Sequence, residues 1–294
     1  MITVSCFGEI LWDNFPTYRR IGGAPLNVAL RMHSLGANVH MISRLGMDAD
    51  GEEILQYLKE QGLSSELIQL DSRHPTGTVD VHLDRSRTAS YTINEPAAWD
   101  AIELNPEMRK AVSSSDALIY GSLVTRNERS EQTLKALLKE ANFKVFDMNL
   151  RPPHYKMDRL TELLLEANLL KLNDEELDEL TDHLNLPGTT VTEKMMSLSA
   201  WIPSKVTLCV TRGPEGAQLL FEGDMFVNSG YPVQVADTVG AGDSFLATLC
   251  FHLLNNTAPQ KALDQACAMG SLVASKEGAI PTITGDEIET LING

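Results

Sequence analysis

The nine residues Asp237-Thr238-Val239-Gly240-Ala241-Gly242-Asp243-Ser244-Phe245 set the fold of the chain around them. Downstream, Phe245, Leu246, Leu249, Cys250, Leu253 and Leu254 recur at the spacing of one face of a helix. Gly240-Ala241-Gly242-Asp243 therefore stands at a helix N-terminus, where the first amides lack partners and the aligned peptide dipoles place about +0.5 charge. Two glycines and an alanine leave nothing to obstruct an oxygen-rich anion, and a phosphate fits. Asp243 falls in the first turn beside the same amides. Two roles are open to it: a helix cap, which Asp makes well, or a base that takes the proton of a hydroxyl attacking phosphorus, worth ~10²–10⁴-fold.

Upstream, short apolar runs alternate with amphipathic stretches. Val39–Ser43, Ala117–Tyr120, Lys144–Asn149, Asn168–Asn173 and Val206–Thr211 read as buried strands. Gly51–Gln61, Arg129–Asn142, Met157–Ala167 and Thr190–Trp201 read as helices. Such alternation predicts an α/β fold, a mostly parallel sheet with helices on both faces. Ligands then bind beyond the carboxyl ends of the strands, so functional residues should follow strand runs. One segment differs. Val79, Val81 and Leu83 alternate with Thr78, Asp80, His82 and Asp84, and after Arg85–Thr88 the run Ala89–Ile93 alternates again. Period two predicts a hairpin outside the main sheet, either a flap over the site or an ordinary edge hairpin.

The chain has 294 residues, with 24 basic and 40 acidic side chains and a net charge of −16. That length allows one large domain or two smaller ones. The acidic balance argues against a nucleic-acid partner, whose phosphates demand Lys and Arg. No apolar run reaches the ~20 residues of a membrane span. Glu9 and Asp13 in the first segment are unlike a signal peptide. Cys6, Cys209, Cys250 and Cys267 show no CxxC spacing and fit free thiols in a reducing cytoplasm.

The Asp237–Phe245 run resembles the C-terminal signature of the ribokinase-like (PfkB) carbohydrate kinases, and the resemblance extends over nearly the whole chain. It implies a single domain over 1–294, a ribokinase-like three-layer sandwich with a small β lid whose strands lie within about 9–22 and 76–98. It implies that Gly240, Ala241 and Gly242 form the anion hole for the transferred phosphoryl group and that Asp243 is the catalytic base. Gly22-Gly23-Ala24-Pro25-Leu26-Asn27 resembles the family's first signature. Gly8-Glu9-Ile10-Leu11-Trp12-Asp13 reads as the end of a first strand closed by a carboxylate, and by the resemblance Asp13 would bind sugar hydroxyls together with Gly22, Gly23 and Asn27. Arg44-Leu45-Gly46 to Gly51 resembles a turn whose Gly46 and Gly51 are structural.

Asp147-Met148-Asn149-Leu150-Arg151 resembles an Asp-x-Asn-x-Arg element, which places Asn149 at the sugar and Arg151 at a phosphate. Lys171-Leu172-Asn173-Asp174-Glu175-Glu176 resembles the Asn-x-x-Glu element: Asn173 would face nucleotide phosphates and Glu176 would hold Mg2+ through water. Thr211, Gly213 and Gly216 fall in the ATP-site turn. Asp237 and Val239, with Gly278, resemble a monovalent-cation site for K+. Only Cys267 aligns where many relatives carry an adenine-contacting Asn, so no adenine hydrogen bond is assigned.

The opening Gly8–Pro16, the form Gly22-Gly23-Ala24-Pro25, and the stretch from Tyr91 to Ala98-Trp99-Asp100 are most similar to bacterial fructokinases. The expected activity is ATP-dependent phosphorylation of a primary hydroxyl of a furanose, fructose first. A pentose, a nucleoside or keto-deoxygluconate are the alternative acceptors, and a non-catalytic sugar sensor is the rival from another class. Only Thr17–Ile21 separates Phe15-Pro16 from Gly22, a compact form of a loop that is longer in plant fructokinases. The expected partners are the sugar and ATP, with a homodimer through the lid hairpin.

Overall fold

A computed structural model describes residues 1–83 and 89–294. In chain order the elements are β1 (Thr3–Phe7), β2 (Leu11–Asn14), β3 (Arg19–Gly22), α1 (Ala24–Ser34), β4 (Asn38–Gly46), α2 (Ala49–Glu60), β5 (Ile68–Asp71), β6 (Gly77–Leu83), β7 (Ala89–Ile93), α3 (Pro106–Ser114), β8 (Ala117–Gly121) and α4 (Glu128–Leu138). There follow β9 (Lys144–Asp147), α5 (Met157–Glu166), β10 (Leu169–Asn173), α6 (Asp174–His183), α7 (Val191–Trp201), β11 (Thr207–Thr211), β12 (Ala217–Phe221), β13 (Asp224–Asn228), α8 (Ala241–Leu254), α9 (Pro259–Ala274) and α10 (Gly285–Asn293). Each strand and helix expected from periodicity is present, with ends shifted by a few residues.

The main sheet runs β13-β12-β11-β10-β9-β8-β1-β4-β5 and is parallel except at β11-β12 and β12-β13. Its central strands are buried on both faces, and alternate residues feed two separate cores. Phe7, Tyr120, Phe146 and Leu172 pack with α3 to α7. Cys6, Ile119 and Val145 pack with α1, α2 and α8. This is the three-layer α/β sandwich. Strand order turns back at β1 and β8: β4 and β5 lie to one side, β9 to β11 to the other. Such a reversal opens a crevice at the carboxyl ends of β1 and β8, where open α/β sheets bind ligands.

A second sheet, β3-β2-β6-β7, stands apart from the first. Val79 and Val81 are buried, while Tyr91 on β7 is 56% exposed. Asp84 and Arg85–Thr88 of the expected hairpin lie outside the described residues. Two expectations shift. Asp13 does not end the first strand, because β1 stops at Phe7 and the chain turns at Gly8 (φ 149) into the small sheet. The strand expected to reach Asn149 ends at Asp147, since Asn149 takes a positive φ of 37. Gly46 and Gly51 are structural: a Cβ at either would fall 2.3 Å from Asp48 Oδ2 or from the Gly46 carbonyl. Among the described residues no helix is long and apolar enough to cross a membrane.

Candidate active site

Helix α8 begins at Gly240, whose φ of 75 is left-handed and whose missing Cβ would lie 2.4 Å from the Ala279 carbonyl. No side chain caps this end. The first helical bond runs from Ser244 N–H to Gly240 O at 2.8 Å, so the amides of Gly242 and Asp243 have no intrahelical acceptor. An open, positively polarised turn results.

Helix α1 packs beside α8 on the same face of the sheet. Arg31, 2% exposed, donates from Nε to Ser244 Oγ (3.1 Å) and from Nη2 to the Pro281 carbonyl (3.0 Å). One turn nearer the helix start, Asn27 Nδ2 donates to Asp243 Oδ2 at 2.8 Å. The first and last signatures of the chain, 216 residues apart, therefore meet through one hydrogen bond. Asp243 is partly buried. Burial, chiefly, and the nearby Asp147 charge push its carboxyl up to about 6, against the Asn27 amide, Lys171 and Arg151.

Asp13 comes to the same place from the small sheet. Its Oδ2 would lie 2.3 Å from a Cβ on Gly22, so Gly22 makes room for it. Burial raises this carboxyl to about 6; Arg151 and Arg20 pull it down and Asp243 pushes it up. Glu9 is 4% exposed, and its Oε2 is buried with no hydrogen-bond partner. Burial raises it to about 7. Gly23, at φ 112, lets the chain pass the Glu9 carbonyl, which a Cβ would approach to 2.4 Å. Arg151 is exposed beside these acids and donates to the Leu150 carbonyl at 2.9 Å. The Asn149 carbonyl accepts from Ser122 Oγ at 3.2 Å, tying this loop to the end of β8.

Behind the acids lies a buried ion pair. Lys171 Nζ contacts Asp147 Oδ1 at 3.0 Å, and both side chains are under 10% exposed. The same Nζ lies 3.6 Å from where a Cβ on Gly242 would sit, directly under the open turn. Burial opposes its charge, but Asp147, Glu176 and Asp243 together hold Lys171 above the ordinary lysine value. Asp147 Oδ2 is buried without a partner. Glu176 closes a capping box: its N–H donates to Asn173 Oδ1 (2.7 Å) and its Oε2 accepts from Asn173 N–H (2.9 Å). Its Oε1 accepts from Leu150 N–H at 2.7 Å, fastening the Asn149–Arg151 loop to the start of α6. Burial raises its carboxyl.

Thr211 ends β11 and donates to the Leu172 carbonyl at 3.4 Å; Gly213 (φ 53) and Gly216 (φ 80) shape the turn beyond it. Cys267 is 5% exposed and packs with Cys209 and Phe245 in the core, so it offers no polar contact to a base. Asp237 accepts from Val239 N–H (3.1 Å), Gly278 N–H (3.3 Å) and Arg20 Nη1 (2.5 Å). Burial alone would raise Asp237, but those three donors hold it below the ordinary aspartate value.

Asp13, Asn27, Asp147, Arg151, Lys171 and Asp243 thus stand close enough to bond to or act on one another's charge at the carboxyl edge of the sheet. Lys171, Glu9 and Arg20 were not singled out from the sequence. A lysine inside the apolar run Leu169-Leu170-Lys171-Leu172 was the available signal, since an unpaired buried lysine is rarely tolerated. Arg20 carried none, because its partner lies at the far end of the chain.

The sequence matches the pfkB family carbohydrate kinase over residues 7–284. It is 30% identical to "Probable fructokinase-4" of Arabidopsis thaliana, covering 98% of this chain and 96% of that one. The fold is similar to a fructokinase with bound ATP from Xylella fastidiosa (TM-score 0.86, 23% identity, 99% and 98% covered). It is also similar to a Vibrio cholerae O395 fructokinase double mutant in a fructose, ADP and potassium ion bound form (TM-score 0.84, 23% identity, 99% and 98% covered). With the open turn at Gly240–Gly242, the carboxylate it carries and the amide that holds that carboxylate all in one crevice, this chain belongs to the pfkB family of carbohydrate kinases.

Proposed function

We propose that the protein is an ATP-dependent fructokinase, transferring the γ-phosphoryl group to a primary hydroxyl of a fructose furanose. The observation that carries this reading is the 2.8 Å bond from Asn27 to Asp243, which unites a sugar-type amide with an acid at an anion-binding helix end. Asp243, held at about 6, is mostly ionised at neutral pH and still basic enough to accept a hydroxyl proton. Asn27 occupies one carboxylate oxygen and leaves the other for the alcohol. Asp13, the Gly22-Gly23 backbone and Asn149 hold further hydroxyls.

Around the phosphoryl group, the Gly240, Ala241 and Gly242 backbone, Arg151 and the buried Lys171 set charge in place before the reaction. Preorganised electrostatics supply most of the catalysis in phosphoryl transfer. Asn173, Thr211, Gly213 and Gly216 border the nucleotide. The residues fit Mg2+: Asp147 presents a buried oxygen without a partner, and Glu176 stands beside it for contact through water. Bound with the nucleotide, the ion would offset phosphate charge. The small sheet serves as the lid, with Asp13 on its inner side, and its closure excludes water. Its edge strands β3 and β7 are free to pair two copies, and light scattering reads that dimer. Four free, buried cysteines fit a cytoplasmic protein.

The test is a panel of fructose, ribose, a nucleoside and keto-deoxygluconate, assayed for magnesium-dependent ADP release and phosphorylated product. Fructose is expected to give the highest kcat/KM. A higher value for another acceptor reassigns the substrate, and binding without ADP release with any of them makes the protein a sensor.

A further inference from the structure

We propose that Arg20 is a tethered cation: its guanidinium occupies the place at Asp237 where a monovalent ion would sit, so that the protein works without K+. This rests on the kinase reading and concerns the loop that leads into its anion hole.

Three N–H donors converge on the Asp237 carboxylate. Oδ1 accepts from Val239 N–H at 3.1 Å; Oδ2 accepts from Gly278 N–H at 3.3 Å and from Arg20 Nη1 at 2.5 Å. A carboxylate has about four lone-pair sites, and three of these are taken by N–H groups. That leaves at most one lone pair for a free ion, and the cation already seated on this carboxylate is the Arg20 guanidinium. The guanidinium brings the same single positive charge, fixed by a hydrogen bond.

Its position is built in. Arg20 lies on β3 opposite Asp13 of β2. The turn between these strands is closed by Phe15 N–H donating to the Tyr18 carbonyl at 2.9 Å, with the two rings stacked 4.5 Å apart. The Arg20 guanidinium carbon lies 4.8 Å from the Tyr18 ring centre and 5.9 Å from that of Phe15. Aromatic faces on one side and a carboxylate on the other leave the Arg20 side chain 30% and that of Asp237 20% exposed. Only Thr17–Ile21 connects Pro16 to Gly22, and that shortness keeps the side chain within reach of Asp237. The consequence is mechanical as well as electrostatic. The residue that fixes the loop before Gly240 sits on the same strand pair as Asp13, so docking of the small sheet and ordering of the anion hole are one event.

The experiment uses the full chain, wild type and Arg20→Ala, with Arg20→Gln as a larger neutral variant and Arg20→Lys as a charged one. Turnover with fructose and magnesium-ATP is measured in choline chloride and in potassium chloride at equal ionic strength, and melting temperatures are recorded in both salts. Wild type and Arg20→Lys are expected to be indifferent to the salt in both readouts. Arg20→Ala and Arg20→Gln should lose about tenfold or more in turnover in choline, recover much of it in potassium, and melt higher in potassium by a few degrees, because a vacated site binds the ion. The assignment is overturned if potassium raises the wild-type melting temperature as much as that of the neutral variants. It is overturned equally if the neutral variants match wild type in choline, or lose activity that potassium neither restores nor accompanies with a melting shift. A wild type that phosphorylates no sugar in either salt refutes the kinase reading alone, since the melting comparison still decides who fills the site.

Discussion

Replacing Asp243 by Asn separates a base from an acid that merely stabilises the first turn of α8, because the two demand opposite outcomes. The Asp243 carboxyl is raised from 3.8 to about 6, mainly by burial. At about 1.36 kcal/mol per unit this is a ceiling of ~3 kcal/mol. Because the group is partly open to cleft water, ~1–2 kcal/mol is the realistic share. A carboxyl raised on folding stabilises the protein fully below its unfolded value near 4, and the contribution is lost as pH rises through about 6. At about pH 8 the wild type has lost it, whereas the neutral amide suffers no such penalty. Asp243→Asn should therefore melt higher than wild type at about pH 8, by ~2–4 °C for a chain of this size, with the gap closing towards about pH 4. Turnover should meanwhile fall ~10²-fold or more, since the base is gone. The assay is coupled ADP release at saturating fructose and ATP, with circular-dichroism melts at both pH values on the same preparations. More than about a tenth of the turnover retained, together with a lower melting temperature at pH 8, would mean that Asp243 only serves as a first-turn acid facing the α8 dipole.

Asn27→Asp replaces a donor to Asp243 with a second carboxylate, so the acid limb of kcat/KM, expected near pH 6 in the wild type, should move up by about a unit or more; an unmoved limb argues against Asp243 as the titrating base. Lys171→Met strands Asp147 in the interior and should cost about 3–5 kcal/mol in urea unfolding and ~10²-fold in kcat. Adding Asp147→Asn should return part of that stability and none of the turnover, which distinguishes a buried charge pair from a packing defect. Gly240→Ala forces a Cβ to 2.4 Å from the Ala279 carbonyl at a φ of 75, and should cost about 1–3 kcal/mol and raise KM for ATP.

Periodicity was enough for β4, β8, β9, β10 and β11, which are apolar runs bounded by turn residues, whereas β5 and β13 at the two edges carry too little apolar pattern to stand out. The crevice was legible wherever a polar cluster closes such a run, as at Asp147–Arg151 and Asn173–Glu176. What escaped depended on distance along the chain. Asp13 reads as the end of a first strand until Gly8 is seen to turn the backbone into a separate sheet. The pairing of Lys171 with Asp147 follows only from neighbouring parallel strands in register. Arg20 looks like any exposed basic residue on a short loop, and nothing local points to Asp237.

The contacts Asn27–Asp243, Arg31–Ser244 and Arg20–Asp237 each span more than two hundred positions. A ribosome that has finished α7 has therefore made most of the sheet but neither the open turn at Gly240–Gly242 nor the carboxylate of Asp243. Under the proposed function, chains that stop short of α8 would hydrolyse no nucleotide. Those three contacts close only when the segment from Asp237 to Ser244 docks against the one from Arg20 to Arg31.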